Sequence, residues 1–449
     1  MRSKRKSDVA LFWMPEWGGF HVAGWRAADA PDDPTLNFAE IRRMVQRAEA
    51  AKLHACFLAD ALAVGFQGIE VSNEALSRTA RGTKFEPITL MSALSACTEH
   101  IGLLCTASTT YNEPFHVARM FASLDHLSGG RAGWNAVTSK AESVNFGGKQ
   151  MGHGQRYERA QEFVEIVRGL WNSWDDDAFI RDRDSGKYFD PEKLHSLDYA
   201  GQYLSVAGPL HIARPVQGHP VVAQAGASAE GRAFAARNAD VIYTLQSDLG
   251  TAKAFYADVK EQSASFGRDP EHLKVLPAQL LLIGRSDAHA EEKLARLDSL
   301  VDPRLGMESL TSLIETDLSA YPLDGPVPEV PETQTGSKSR QRYWLDIAKR
   351  DGLTVRQLMQ VASRAGVVAG SAQSIADTIH EWFEAGAADG FNISFGDATD
   401  SFDIFVNEVV PDLQQRGIFR TEYSGSTLRE NLGLPRPADR SRRAAPTRD

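Results

Sequence analysis

Short apolar runs alternate along the chain with longer segments in which apolar residues recur at helical spacing. We interpret the apolar runs as eight strands, at residues 9–14, 53–58, 101–107, 131–137, 220–225, 240–245, 273–283 and 390–395. Amphipathic helices are predicted between most of them, at residues 37–52, 87–98, 114–126, 155–171, 228–237 and 251–265, with more helices up to residue 385 and after the last strand.

This alternation leads to the fold class that we predict. Strands that are each followed by a helix pair in parallel, because the helix carries the chain back across the sheet. The strands are unbroken apolar runs, which is expected of strands that are buried on both faces. Eight such units favour an α/β fold in which a TIM (β/α)8 barrel closes on itself.

Three segments are not accounted for by a minimal barrel. Residues 174–208 are polar, while residues 287–364 combine helices with a piece rich in Pro, Gly and Ser. Long insertions in barrels commonly cover the site, so residues 287–364 are predicted to form a lid. The tail, residues 435–449, is rich in Pro, Arg and Ala and is predicted to be disordered. We therefore expect one barrel domain over residues 1–434.

The composition excludes several classes of partner. A net charge of −10 argues against a nucleic acid, which requires a basic surface. No segment approaches the roughly 18 apolar residues that a membrane span requires. The three cysteines lie in apolar runs and are interpreted as core residues, not as disulfides or metal ligands, which suits the cytoplasm. They are Cys56, Cys97 and Cys105.

The chemistry of such a barrel is expected at the C-terminal ends of its strands. Asp60, Thr106 and Asn135 stand at these ends, and the fifth strand leads through small residues to Ser228 at the start of a helix. A helix N-terminus offers unpaired N–H groups and a partial positive charge, which suit a phosphate. An ordinary serine N-cap is the alternative and, from this segment alone, the more frequent explanation.

Several common motifs are missing from the sequence. There is no Walker loop, no HExxH, no paired CxxC and no GxSxG elbow, and we predict no metal site. The segment from Gly129 to Gly133 follows a helix and precedes a strand, which is the reverse of the order in a dinucleotide-binding fingerprint. We interpret it as a tight turn that glycine permits.

Longer motifs at the strand ends resemble a known family. They include Phe57-Leu58-Ala59-Asp60 and Gln224-Ala225-Gly226-Ala227-Ser228, and they continue through residues 106–119, 124–135, 156–160, 321–324 and 419–423. Together they span nearly the whole chain in the order of the family. The sequence resembles the flavin monooxygenases that act on nitrilotriacetate, EDTA and dibenzothiophene sulfone, within the bacterial-luciferase-like superfamily.

The resemblance implies a luciferase-like barrel that binds FMN. Tyr157 and Ser228 would hold the phosphate, with Ala227 beside them. Where family members often show His-Asp-x-Arg-Tyr, this chain has Gly154 after the histidine, so the transfer is weakest at that position. The residues implied to line the rest of the flavin are Asp60, Thr106, Asn135 and His153.

The loop after the first strand, residues 19–26, resembles the aminopolycarboxylate subgroup of the family. A histidine of this loop is the family's candidate for moving a proton or stabilising oxygen on the flavin, which implies a catalytic role for His21. Trp25, Phe57 and Tyr111 would shape the substrate pocket. Some relatives carry a second active-site histidine where this chain has residues 311–315, so the reaction type stays open.

The resemblance also implies partners. Reduced FMN from a separate NAD(P)H:flavin reductase and O₂ would oxidise a small organic substrate, either an aminopolycarboxylate or another sulfur or nitrogen compound. A homodimer or homotetramer is expected. Two alternatives remain: a deazaflavin-dependent hydride-transfer oxidoreductase and a flavin-binding protein without catalysis. Four cations near predicted loops are candidates to meet substrate carboxylates, although a solvated surface charge is the more frequent role of each: Arg26, Arg78, Arg81 and Lys84.

Overall fold

The computed structural model of the protein describes residues 8–28, 30–65, 70–139, 143–147, 151–226, 228–333, 338–364 and 366–439. The strands are β1 (Ala10–Trp13), β2 (Ala55–Leu58), β3 (Gly102–Ser108), β4 (Ala132–Val137), β5 (Tyr199–Ala200), β6 (Ser205–Val206), β7 (Val221–Gln224), β8 (Val241–Thr244), β9 (Lys274–Gly284), β10 (Val368–Ser371) and β11 (Gly390–Phe395). The first helices are α1 (Phe38–Ala50), α2 (Asn73–Leu76), α3 (Pro87–Ser95), α4 (Pro114–Leu127), α5 (His153–Trp171), α6 (Ala229–Asn238) and α7 (Leu249–Ser265). The later ones are α8 (Asp287–Ser299), α9 (Pro303–Ile314), α10 (Lys338–Asp351), α11 (Val355–Ser363), α12 (Ala372–Glu384), α13 (Asp400–Ile404), a π-helical turn (Phe405–Val409), α14 (Val410–Gln415) and α15 (Leu428–Asn431).

Eight parallel strands close into a barrel. They pair in the order β1, β2, β3, β4, β7, β8, β9 and β11, and β11 pairs back with β1. These are the eight strands that the sequence predicts, so the TIM barrel is confirmed. Most of them are buried along their whole length, as the unbroken apolar runs predict.

The sequence analysis did not predict three of the strands. β10 pairs in parallel with the C-terminal part of β9 and lies outside the closed barrel. Its four residues include Gly370 and Ser371, which have little strand preference, and Val368 is half exposed, so no apolar run marks it. β5 and β6 form a two-stranded antiparallel hairpin within the polar segment 174–208.

Local signals explain several element ends. The side chain of Asn37 caps α1 by accepting from the Glu40 N–H at 3.2 Å, as the sequence predicts. Gly129 and Gly130 have φ angles of +68° and +93°, which confirms the tight turn before β4. Cys56 and Cys105 are buried in the core, while Cys97 is half-buried.

The N-terminal end of the barrel is closed by α15. Leu428 packs into the interior there, and a Cβ on Gly102 would lie 2.6 Å from its Cδ1, so only glycine leaves room for it. Beyond α15, Arg436 forms a salt bridge with Asp176, and the Pro437 carbonyl accepts from Arg214 at 2.7 Å. Residues 435–439 are therefore held against the body, in contrast to the disorder expected from composition; residues 440–449 lie outside the described part of the chain.

The insertion predicted over residues 287–364 begins later in the chain than the sequence suggests. α8 packs against β9 and β10 through Leu294 and Leu297 and belongs to the helical layer of the barrel. A separate apolar cluster joins α9, α10 and α11. Of residues 287–364, which we expected to form a lid, only the α9–α11 unit therefore lies outside the helical layer of the barrel. No helix in the described ranges is both long and apolar enough to cross a membrane.

Candidate active site

Two predicted residues meet on adjacent strands at the C-terminal half of the barrel. Thr106 on β3 and Asn135 on β4 are register partners, and Asn135 Nδ2 donates to Thr106 Oγ1 at 2.9 Å. Both side chains are buried. Asn135 Oδ1 is also buried and has no hydrogen-bond partner among the described residues. A buried carbonyl oxygen without a donor is rare in folded proteins, so this oxygen is suited to accept a hydrogen bond from a ligand or water.

The bend between β7 and α6 approaches the first turn of the helix very closely. A Cβ on Gly226 would lie 2.8 Å from the Gly231 Cα, and a Cβ on Gly231 would lie 2.9 Å from the Gly226 Cα and 3.0 Å from Tyr157 Oη. Ser228 is the N-cap of α6, and its hydroxyl accepts from the Gly231 N–H at 3.0 Å. The hydroxyl keeps its own hydrogen for a further acceptor. We call this arrangement of Tyr157, Gly226, Ser228 and Gly231 the α6 cradle.

Asp60 follows β2 and forms a salt bridge with Lys84, whose Nζ lies 2.7 Å from Asp60 Oδ1. Burial raises the pKa of the Asp60 carboxyl, and the Lys84 ammonium only partly opposes this effect. The carboxyl is therefore a weaker acid than a solvated one.

His21 lies in the loop after β1 and is almost completely buried, with 1% exposure. Its Nδ1 accepts from the Ala23 N–H at 3.1 Å, so the proton of the neutral ring resides on Nε2. Nε2 then donates to Asp298 Oδ1 at 3.1 Å, and Arg364 binds the same carboxylate with a closest approach of 2.6 Å. Both ring nitrogens are thus engaged within the protein, which suits orientation of the loop better than direct proton transfer in this conformation.

The three residues expected to shape the substrate pocket lie apart from one another in different environments. Trp25 is partly exposed and donates from Nε1 to the Arg78 carbonyl at 3.0 Å. Tyr111 stacks on Phe146, with ring centroids 4.5 Å apart. Phe57 lies inside the barrel with 4% exposure, so it packs beneath the site and does not line an open pocket.

A cavity of about 1160 Å³ lies between α9 and residues 70–72. Its charged lining consists of four carboxylates and one guanidinium and therefore has a net negative formal charge. Glu315, at the end of α9, adopts a left-handed φ of 54°. The charged residues are Glu70, Glu308, Glu315, Asp317 and Arg304.

Two predicted site residues cannot be placed in full. Ala227 and the side chain of His153 lie outside the described residues, although the backbone of His153 begins α5. Conversely, the sequence analysis missed Asp298 and Arg364. Asp298 stands 277 residues from His21 in the chain, and no local pattern connects the two.

Comparison with known proteins identifies the family. The profile of the luciferase-like monooxygenase family matches residues 19–389. The chain is 47% identical to N-acetyl-S-(2-succino)cysteine monooxygenase from Bacillus subtilis (strain 168), over 98% of this chain and 99% of the relative. It is 46% identical to nitrilotriacetate monooxygenase component A from Aminobacter aminovorans, over 96% and 97%. The solved structure of EDTA monooxygenase from Chelativorans sp. BNC1 matches with a TM-score of 0.77 and 32% identity, covering 96% of this chain and 99% of that chain.

The fold and the strand-end site thus define a TIM-barrel oxidoreductase. Within that class, the chain belongs to the luciferase-like monooxygenase family, and the resemblance inferred from its motifs is confirmed. The described residues also fit FMN on two structural grounds. The α6 cradle offers a helix N-terminus and two hydroxyls to a phosphate, and Asn135 Oδ1 has no donor among the residues that the structure describes.

Proposed function

We propose that the protein uses reduced FMN and O₂ to insert one oxygen atom into a small polycarboxylate that contains nitrogen or sulfur. The observation that carries the cofactor assignment is the α6 cradle, because the Gly226–Gly231 contact exposes a helix N-terminus beside the Tyr157 and Ser228 hydroxyls. When bound, reduced FMN supplies the two electrons that activate O₂. One oxygen atom goes to the substrate and the other leaves as water.

The residues of this chain would have separate tasks. The cradle would bind the phosphate, while Thr106 and Asn135 would orient the ring system from inside the barrel. His21 would fix the β1 loop over the site through its bonds to Ala23 and Asp298. The α9–α11 unit would exclude water, which is needed because free access of water and protons diverts the oxygen to H₂O₂.

The substrate class rests on the chemistry of the related enzymes' named substrates. Nitrilotriacetate and N-acetyl-S-(2-succino)cysteine are both tricarboxylates, built on a nitrogen and on a sulfur atom respectively. Three of the four candidate cations already have carboxylate partners: Arg78 with Glu74, Arg81 with Glu16, and Lys84 with Asp60. The fourth, Arg26, is exposed and its described partner is the Leu300 carbonyl, so it is the best placed to meet a substrate carboxylate.

We expect purified protein to bind photoreduced FMN saturably under anaerobic conditions and, after O₂ is admitted, to oxidise a member of a panel of amine, thioether and sulfone carboxylates. The measurements are quenching of the protein's tryptophan fluorescence for binding and mass spectrometry for an added oxygen atom. Absence of saturable binding to either redox state of FMN would reject the proposal. Turnover driven by NADH without a reductase would reject the separate electron supply.

Arg26→Gln should raise KM for the polycarboxylate about tenfold while kcat changes less than about threefold, because a substrate charge loses its partner before the chemical step. Steady-state kinetics measure this split. Arg78→Gln is the matched control, since Arg78 is neutralised by Glu74 and should leave KM unchanged. Equal effects of the two substitutions would show that only overall charge matters and would remove Arg26 from the substrate site.

Deazaflavin-dependent hydride transfer remains the alternative within this fold. It predicts tight binding of a deazaflavin and no oxygen consumption, whereas the proposed function requires one O₂ for each oxidised substrate. The 46–47% identity to two named monooxygenases over nearly the whole chain favours oxygen chemistry.

A further inference from the structure

The interior of the barrel is filled level by level, and the strand registers determine which residues share a level. Phe12 on β1 lies opposite Ala55 on β2 and opposite Asn392 on β11. Following the registers once round the eight strands returns to β1 with a displacement of eight residues along that strand. This is the shear of a TIM barrel, so a level rises by one residue from each strand to the next.

By this geometry, four residues from alternate strands share one level, which we call the polar layer: Phe57, Asn135, Tyr243 and Asn392. The rings of Phe57 and Tyr243 confirm the shared height, because their centroids lie 4.6 Å apart and their planes differ by 11°. All four side chains are buried. The level beneath them is wholly apolar and consists of Phe12, Leu104, Ala223 and Leu276.

The polar layer contains three buried polar atoms that have no hydrogen-bond partner among the described residues: Asn135 Oδ1, Tyr243 Oη and Asn392 Oδ1. A buried polar atom without a hydrogen-bond partner destabilises the folded protein, so such atoms are rare. Three of them on one level of the barrel are therefore unusual. Burial raises the pKa of the Tyr243 phenol, so its O–H remains a donor. The two amide oxygens are acceptors, so the layer can serve a ligand that has both kinds of group.

The level above the polar layer leaves room for such a ligand. It consists of Met14, Thr106, Ala225 and Ala278, and the two alanines cover little of what lies below. Leu245 follows Tyr243 by two residues, on the same face by strand alternation, and is 78% exposed. An exposed leucine above unpaired polar atoms matches a ligand with a flat apolar surface and polar edge groups. The isoalloxazine ring of FMN is such a ligand.

We propose that Tyr243 and Asn392 are further cofactor-binding residues and that the polar layer is the floor on which the isoalloxazine ring of FMN rests. The Tyr243 hydroxyl donates to a polar atom of the ring, and Asn392 Oδ1 accepts a ring N–H. This inference rests on the proposed function, because it takes FMN as the ligand. It adds two residues on β8 and β11 to a site that the motifs place on β2, β3, β4, α5 and α6.

Tyr243→Phe separates binding from packing because its two effects have opposite signs. Removing an unpaired buried hydroxyl should leave the melting temperature of the FMN-free protein unchanged or raise it by about 1–3 °C. The same change should weaken FMN binding about three- to tenfold, since one hydrogen bond to the ring is lost. Asn392→Leu, which keeps the branched shape of the side chain but also removes the donation from Asn392 Nδ2 to Met14 Sδ, should likewise weaken FMN binding. Calorimetric FMN titration and thermal unfolding without FMN measure the two effects.

Tyr256→Phe is the matched control, because the Tyr256 hydroxyl already donates to Asp389 at 2.9 Å outside the barrel interior. It should lower the melting temperature and leave FMN affinity unchanged. If the wild type binds FMN and Tyr243→Phe and Asn392→Leu both bind it within twofold of the wild type, the inference is overturned and internal water satisfies the layer. If the wild type itself fails to bind FMN, the proposed function is rejected as well.

Discussion

Gly231→Ala should bind FMN at least about thirtyfold more weakly than the wild type, in both redox states of the cofactor. The new Cβ would lie 2.9 Å from the Gly226 Cα and 3.0 Å from Tyr157 Oη, and a backbone atom cannot rotate away as a side chain can. The bend and the first turn of α6 must therefore separate. Loss of one or two charge-assisted hydrogen bonds to a phosphate accounts for the magnitude.

The stability of this variant should change much less than its affinity. Alanine is favoured over glycine inside a helix by up to about 1 kcal/mol, which offsets part of the strain of the close contact. Ser228→Ala is a poorer test, because it removes the N-cap bond to the Gly231 N–H together with any phosphate contact. Fluorescence titration with FMN, alongside thermal unfolding, distinguishes the two effects.

Gly250→Ala is the matched control for the cradle. Gly250 also lies in the first turn of a helix that follows a barrel strand, but a Cβ there would meet only a side-chain atom, Asp248 Oδ1, at 3.1 Å. FMN affinity should stay within twofold of the wild type. If Gly231→Ala also retained wild-type affinity, the α6 cradle would not be the phosphate site.

His21→Ala should leave FMN affinity within about threefold of the wild type but lower product formation at least about a hundredfold, with most of the consumed O₂ recovered as H₂O₂. The reason is structural: the ring joins Ala23 of the β1 loop to Asp298 at the end of α8. Without it the loop loses its buried anchor and water reaches the reacting atoms. Product and H₂O₂ are measured per FMN oxidised, with the substrate that the panel identifies.

Variants of Asp298 and Arg364 test whether His21 acts by holding the β1 loop in position. Asp298→Asn removes the charge that orients the ring, and Arg364→Gln frees the carboxylate, so both should reduce coupling by intermediate amounts. Arg364→Lys should restore part of it, because a cation again faces Asp298. The control is His289→Ala, since His289 Nδ1 also accepts a backbone N–H, from Arg285, at the opposite end of α8. Unchanged coupling in His21→Ala would remove His21 from the mechanism.

The barrel could be predicted because its signals are local. Each buried strand is an unbroken apolar run, and the helices between the strands fix parallel pairing. β10 escaped because it lies outside the closed barrel, where Val368 is half exposed and glycine and serine complete the strand. The tail was predicted to be disordered from composition, but Arg436 finds a salt-bridge partner in Asp176, far away in the chain.

The expectation that chemistry lies at the C-terminal ends of the barrel strands likewise selected part of the site. Thr106 and Asn135 share a hydrogen bond, and Ser228 does stand at a helix start beside Tyr157. The same rule could not show that Phe57 points into the packed interior, or that three of the four candidate cations are already neutralised by carboxylates. Those facts depend on neighbours that are distant in the sequence.

The sequence by itself determined the eight-stranded barrel, its family and the strand ends at which chemistry can occur, because periodicity and short motifs record which face of each element is buried. Only the tertiary structure decided which side chains act together. Asp298 reaches His21 through the packing of α8 against the barrel, and the shear of the strands brings Tyr243 and Asn392 level with Asn135. Both depend on the relative displacement of whole elements, which no local pattern of residues encodes.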